Sequence, residues 1–455
     1  VNIQSKKKKV LIVSHLFPPG NTVGAVRIGK FVKYLPEFGW QPIVLTAECK
    51  NDLPSTLPME ADDSYIIRTP SYSLASKVTG EKIISRSTGV KTIPATDNKH
   101  RRIYRKIFIK FLRLLKPFYS LPVIERLLFE NMGWKTRAVR AGLESINKNK
   151  IDVIFSSFGP AVSHLVASQI QREAKIPWLA EFRDPWSHNE YYRQTQPFHF
   201  IEELWEKRTL DKAKLLITVS QTWANSLELL HPKPTIIIPN GFDEEDYLEK
   251  VPLTEKFTIT YTGNIYPGKR DPEPLLKAIA ILKQEGKINQ TNFELRFFGN
   301  NVNQHITYLT TKYDINNLVN IYGFVSFKES IRRQKESSAL LLLSWNNPKD
   351  AGTLTGKVFE YIGASRPILA LAYQGGEIDK LLQKTGCGVV ANDPEEILDV
   401  IDKWLEEYGR NKQIKSFYKP KNELIKNYTR REQAKQLAEA LNTVINQQSS
   451  PVLLR

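Results

Sequence analysis

Short apolar runs rich in Val, Ile and Leu, separated by stretches of helical period, recur along this chain and restrict its fold more than any other feature. They fall at residues 10–15, 42–46, 151–156, 177–181, 215–219 and 235–238, then at 257–261, 294–298, 319–322, 340–343, 368–371 and 388–390. Runs of this length without strict alternation suit strands buried on both faces. Their interleaving with helical patterns such as Val26, Ile28, Phe31, Val32 and Leu35 predicts an α/β fold with parallel sheets. A tight turn at Pro239-Asn240-Gly241-Phe242-Asp243 and a charged stretch over 245–255 divide the chain into two Rossmann-like halves. The expected domains are 1–248, interrupted by a basic helical insertion around 98–135, then 249–430, then a C-terminal helix and tail over 431–455. The first loop lacks G-x-G-x-x-G, which disfavours a nicotinamide enzyme.

The clearest chemistry lies between Thr353 and Ala370. A loop ending in Thr355-Gly356 opens a helix, whose first amides have no acceptor within the helix and whose dipole favours anions, so it can seat a phosphate. Glu360 lies one turn on along the same face, where a carboxylate can accept from vicinal hydroxyls such as those of a ribose. The plainer reading is an amphipathic core helix with a solvated Glu. The loop 261–272 follows an apolar run and carries Gly263, Asn264, Lys269 and Arg270. A cation there can neutralise a leaving diphosphate, and a surface turn is the alternative.

Arg183 and Asp184 follow another run, at a strand end where open sheets bind ligands. Asp184 reads equally as a sugar contact, a helix cap or the ion-pair partner of Arg183. His164 begins a helix after Ser156-Ser157-Phe158-Gly159-Pro160, and His15 ends the first run. Either can orient a hydroxyl or serve the core. Gly375-Gly376-Glu377 is a turn with a helix start.

The segment T-G-K-V-F-E-Y-I-G-A-S-R-P-I-L-A, Thr355 to Ala370, resembles the nucleotide-binding helix of retaining glycosyltransferases of the GT-B fold, in particular glycosyltransferase family 4 (glycosyl transferases group 1). The P-N-G-F-D turn is similar to that family's domain-closing signature. E-F-R-D-P-W resembles a segment of one of its branches, and Phe17, Pro18, Pro19, Gly24 and Arg27 resemble its first loop. The resemblance implies two Rossmann-like domains facing a central cleft, with a C-terminal helix crossing back to the first. It implies a nucleotide-sugar donor held by Glu360, Thr355, Gly356, Gly263, Lys269 and Asn264 or Arg270. A sugar or glycan acceptor would lie near Gly24, His15, Gly375, Gly376 and Glu377. Arg183, Asp184, His164 and Lys269 stand as the catalytic candidates. Many members place a Glu eight residues before the ribose ligand, and here that position is Gly352.

The resemblance further implies retention of configuration by a front-face route, without a protein nucleophile. No cofactor and no metal are expected, since no D-x-D pair stands in the sequence. The rival readings are a GT-B epimerase or phosphorylase, and a nucleotide-sugar or glycan-binding protein without turnover.

Lys and Arg outnumber Asp and Glu by 65 to 48, for a net charge of +17, which favours anionic partners. Much of that charge gathers in 98–124, where no acidic residue occurs. Lys99, Arg101, Arg102, Arg105, Lys106, Lys110, Arg113 and Lys116 alternate there with apolar residues at helical spacing. Such a helix can lie on an anionic membrane surface, or pack on its own domain with its cations in water. No nucleic-acid-binding domain is recognisable. Two cysteines, Cys49 and Cys387, favour a reducing compartment, and no apolar run reaches a membrane span. The expected location is therefore cytoplasmic, peripherally associated with membrane, and the resemblance implies a role in surface polysaccharide or glycolipid synthesis.

Overall fold

The computed structural model describes residues 7–20, 22–48, 59–60, 62–71, 132–189, 198–299 and 303–449. These belong to two compact units. Unit 1 draws on Val1–Thr218, Ala224–Ile237 and Ala434–Arg455, and unit 2 on Val219–Trp223 and Ile238–Gln433.

Unit 1 is built on a seven-stranded parallel sheet in the order β3-β2-β1-β4-β5-β6-β7. Its strands are β1 Lys8–Val13, β2 Trp40–Ala47, β3 Ile66–Thr69, β4 Val153–Ser157, β5 Trp178–Phe182, β6 Leu215–Thr218 and β7 Thr235–Ile237. Leu11 pairs with Ile43 on one side and Ile154 on the other. Leu11, Val13, Ile154 and Trp178 share one core with Trp134 of helix Met132–Asn149 and with Val166 and Ile170 of helix Val162–Ala174. Each such aliphatic side chain contributes about 1.5–3 kcal/mol when fully buried. β3 was not anticipated. It has four residues, stands at the sheet edge and carries Arg68 in its middle, so neither apolar run nor clean alternation announces it.

Unit 2 holds a six-stranded parallel sheet in the order β10-β9-β8-β11-β12-β13. These are β8 Phe257–Thr262, β9 Phe293–Phe298, β10 Val319–Gly323, β11 Ala339–Leu343, β12 Ile368–Leu371 and β13 Gly388–Val390. Leu341 and Leu343 join the core of helices Glu273–Gln284 and Pro394–Asn411. Leu340 and Leu342 join the core of helix Gly356–Ala364. This strand is buried on both faces, which explains its unbroken apolar run.

Strand order reverses between β1 and β4 in unit 1 and between β8 and β11 in unit 2. In open α/β sheets, ligands bind beyond the carboxyl ends of strands at these reversals. The last helix, Arg430–Ser449, belongs to unit 1 from Ala434 onward, and there Lys8 Nζ donates to Asn442 Oδ1 at 2.8 Å. The basic stretch 98–124 lies outside the described residues, as does Cys49. Among the described residues no helix is long and apolar enough to cross a membrane.

Candidate functional site

In unit 2 the residues singled out in the sequence gather at the reversal between β8 and β11. Thr355 caps helix Gly356–Ala364, its hydroxyl accepting from the Lys357 amide at 3.4 Å. Glu360, one turn in, remains partly exposed. Its Oε2 accepts from Lys357 Nζ at 2.7 Å and from Gln334 Nε2 at 3.4 Å, so both bonds fall on one oxygen. Gln334, fully buried, also donates to Thr262 Oγ1 and Ser330 Oγ, both at 3.1 Å. The Thr262 amide in turn donates to the Tyr361 hydroxyl at 3.0 Å. Burial pushes the Tyr361 phenol well above its ordinary pKa, so it stays protonated.

Beyond β8, the Gly263 amide bonds the Phe298 carbonyl at 2.8 Å. Asn264 is exposed, and its carbonyl takes the Tyr261 hydroxyl at 2.7 Å. Residues 266–270 close a tight turn through the Arg270 amide and the Tyr266 carbonyl, 2.8 Å apart. Lys269 Nζ lies 4.5 Å from the ring centroid of Trp345, which follows β11, and the Arg270 guanidinium lies 5.5 Å from that of Tyr266. Lys269 therefore stands at the reversal itself, resting on a side chain from the other strand's loop.

Gly352 has a physical reason to lack a side chain. A Cβ there would stand 2.6 Å from Trp223 Nε1 and 3.0 Å from Thr222 Cγ2. Ser220 Oγ donates to its carbonyl at 2.8 Å. The neighbouring loop brings a carboxylate to the same corner. The Glu377 amide bonds the Ala351 carbonyl at 2.8 Å, and Glu377 Oε1 accepts from Thr222 Oγ1 at 2.8 Å. Gly375, at φ +77°, makes the turn into this loop, and Gly376 caps helix Glu377–Thr385.

In unit 1 the carboxyl ends of β4 and β5 meet the start of helix Val23–Tyr34. Glu181 is fully buried, and a carboxylate so placed needs paired charge and hydrogen bonds. Arg27, equally buried, supplies both, with Nη2 at 2.8 Å and Nε at 2.9 Å from Oε1. Ser157 Oγ donates to Oε2 at 2.7 Å and receives Arg183 Nε at 3.1 Å. The Arg183 guanidinium also donates to the Phe158 and Gly159 carbonyls. One connected row thus runs Arg27, Glu181, Ser157, Arg183. Gly24 makes room for its end, since a Cβ there would fall 2.0 Å from Arg183 Nη1. Burial draws the Arg183 pKa below its ordinary value, and the charges of Asp184 and Glu181 offset part of that shift. Asp184 itself is exposed.

The two candidate histidines, His164 and His15, separate clearly. His164 is fully buried, with Ser156 Oγ 2.8 Å from its Nδ1 and the rings of Phe158, Trp178, Phe182 and Trp186 around it. Desolvation first, and the Arg183 charge second, bring its pKa down to about 3. It is neutral near pH 7, and its ring is closed off from solvent. His15 is half-buried beyond β1. Its amide donates to Ser163 Oγ at 3.1 Å, its Nε2 lies 3.0 Å from Ser71 Oγ, and its ring meets Trp134 edge-on.

Sequence reasoning missed Gln334, Thr222 and Trp223, and named Ser157 only as part of the segment before His164. Gln334 left one trace, as the uncharged residue among Arg332, Arg333 and Lys335 that points inward. Trp223 left none, because only the folded chain brings it to Gly352.

The chain matches the family model Glycosyltransferase Family 4 over residues 92–246 and Glycosyl transferases group 1 over residues 243–421. No curated protein matches it. Among solved structures it is similar to a glycosyltransferase from Rickettsia africae ESF-5, at 13% identity and TM-score 0.59, covering 97% of this chain and 99% of that one. HepE from Anabaena, solved in complex with UDP, is 13% identical at TM-score 0.50, with 97% and 98% covered. UDP-GlcNAc 2-epimerase from Methanocaldococcus jannaschii is 11% identical at TM-score 0.52, with 96% and 99% covered. At these identities the likeness speaks for the fold alone.

Proposed function

This chain belongs to the GT-B glycosyltransferases of family 4, and from that premise we propose that it moves a hexose-type sugar from a nucleotide-sugar donor to a glycan or lipid-linked acceptor with retention of configuration. The observation that carries the reading is Glu360. It is a partly exposed carboxylate one turn into a capped helix, with its hydrogen bonds among the described residues confined to Oε2, so that Oε1 can accept from a ribose hydroxyl. The Thr355-Gly356 helix start seats the diphosphate through its amides, and Lys269, seconded by Arg270, neutralises the charge that grows on the leaving oxygen. Helix dipole and cations suffice for that task without a metal. HepE, solved with UDP bound, is one neighbour whose ligand accords with this assignment.

At the sugar end, Trp223 occupies the space a side chain at residue 352 would need, and Glu377 brings its carboxylate to the adjoining corner. A front-face route places the leaving phosphate oxygen and the acceptor hydroxyl on the same side of the sugar, so no carboxylate nucleophile has to stand there. Unit 1 receives the acceptor, with Arg183, Asp184, Gly24 and His15 as its ligands. The epimerase neighbour gives a second reading, in which a nucleotide sugar is rearranged with no acceptor.

A thermal-shift panel of UDP, GDP, ADP, TDP and CMP tests the donor site, because a ligand that binds only the folded state raises stability. One diphosphate should stand out, and Glu360→Ala should weaken it by about 1.5–3 kcal/mol through loss of charge-assisted hydrogen bonds. Equal affinity in the variant would remove Glu360 from the site. Nucleotide release that depends on acceptor then separates transfer from epimerisation.

A further inference from the structure

A different cluster lies in unit 1, away from any assigned role. His199 and Glu203 stand four residues apart on helix Phe198–Leu210, and therefore on one face. The loop after β5 brings His188 to them, so that one ligand atom from each lies within 4.8 Å of the others. His188 Nε2 is 3.8 Å from Glu203 Oε2, and the two imidazoles meet edge-on with centroids 4.8 Å apart.

The loop that carries His188 is fixed. Trp186 Nε1 donates to Glu202 Oε1 at 3.1 Å, and the Ser187 amide donates to Glu206 Oε2 at 2.9 Å. Glu206 is itself buried against His231, 3.0 Å from its Nε2. Helix positions 199, 202, 203 and 206 thus all face this loop. Ser187 Oγ lies 3.1 Å from His188 Nδ1, which leaves Nε2 as the outward nitrogen. An outer hydrogen bond of this kind fixes the tautomer and direction of a metal-binding imidazole. Glu203 divides its two oxygens, with Oε1 bound to Lys207 Nζ at 2.6 Å and Oε2 turned to His188. The hydrogen bond from Lys207, helped by the charges of Lys207, His188 and His199, holds the Glu203 carboxyl below its ordinary pKa.

We propose that His188, His199 and Glu203 form a binding site for a divalent transition metal of the Zn²⁺ class, which clamps the loop of residues 185–189 to helix Phe198–Leu210. Two imidazoles and one carboxylate suit Zn²⁺, whereas Mg²⁺ prefers an all-oxygen shell. Metal bonds of about 2.0–2.2 Å require the three ligand atoms to draw together by roughly 1 Å from their present spacing. His188 and Glu203 are both open enough to solvent to make that movement. The fourth position is left to water. The clamp sits next in sequence to Arg183 and Asp184, so its occupancy would stiffen the segment that carries them.

Calorimetric titration of the untagged full chain, stripped with chelator, tests the site with ZnCl₂, and with CoCl₂ read by visible absorption. One equivalent should bind, with a tetrahedral Co²⁺ spectrum, and Zn²⁺ should raise the melting temperature. His188→Ala, His199→Ala and Glu203→Gln should each weaken Zn²⁺ at least tenfold while the metal-free melting temperature stays unchanged. Glu406→Gln, an exposed carboxylate on helix Pro394–Asn411 of unit 2, should bind as the wild type does. Binding without stoichiometry, equal affinity for Mg²⁺, or Zn²⁺ affinity unaltered in the triple ligand variant would each overturn the proposal. None of these readouts depends on nucleotide, so the donor reading stands or falls separately.

Discussion

Arg27 and Glu181 place opposite charges where water does not reach, and their value lies in what they orient. Removing one partner of such a buried pair costs about 3–5 kcal/mol, because the other charge is left uncompensated. Each residue was legible singly as a motif position. Their pairing was not, since it depends on the sheet order that sets the start of the first helix beside β5. His164 shows the opposite limit, because a histidine on a helix after a Ser-rich strand end looks the same in sequence whether it faces substrate or core. Its burial makes a pH prediction. In the unfolded chain it titrates near 6.5, and in the folded chain at about 3. Between those values the unfolded state binds the additional proton, so stability falls as pH drops below about 6.5, at up to about 1.4 kcal/mol per pH unit. Urea unfolding at pH 7 and pH 4.5 should show the wild type losing about 2–3 kcal/mol more than His164→Gln over that interval. Equal losses would show that this ring does not govern the acid limb.

Where elements meet, the same logic concerns room. Gly24 occupies the first turn of helix Val23–Tyr34, where alanine would ordinarily stabilise by up to about 1 kcal/mol. Here its methyl would enter the Arg183 guanidinium, which four hydrogen bonds to Ser157, Phe158 and Gly159 hold in place. Gly24→Ala should therefore keep its melting temperature within a few degrees while sugar transfer falls at least tenfold. Unchanged turnover would mean that Arg183 is not needed where it stands. Most strands could be read from sequence, because burial on both faces leaves runs such as Leu340 to Leu343. β3 could not, since at an edge the pattern weakens to Ile66, Ile67, Arg68 and Thr69. The loops at the strand reversals were legible as glycine-bearing and cationic. What fills them was not, as Trp223 beside Gly352 illustrates.

At the scale of the molecule, the fold class followed from the alternation of runs and helices, and the family from the segment around Glu360. The charge of +17 belongs to this scale too, because a field from many cations acts over a Debye length and weakens with salt. If the cations from Lys99 to Lys116 meet an anionic leaflet, co-sedimentation with phosphatidylserine vesicles should fall steeply between about 0.1 and 0.5 M salt. Reversal of four of those charges should abolish it, and retention after reversal would assign the attraction to another surface. Unit 1 is also discontinuous, since its last piece, the part of helix Arg430–Ser449 from Ala434 onward, follows all of unit 2. During synthesis its sheet is complete long before Leu437 and Leu441 emerge to be buried, and domains generally fold as their chain appears. Unit 1 thus begins to fold before unit 2 and finishes after it, and a nascent chain stalled before residue 434 would expose an unfilled apolar seam to chaperones.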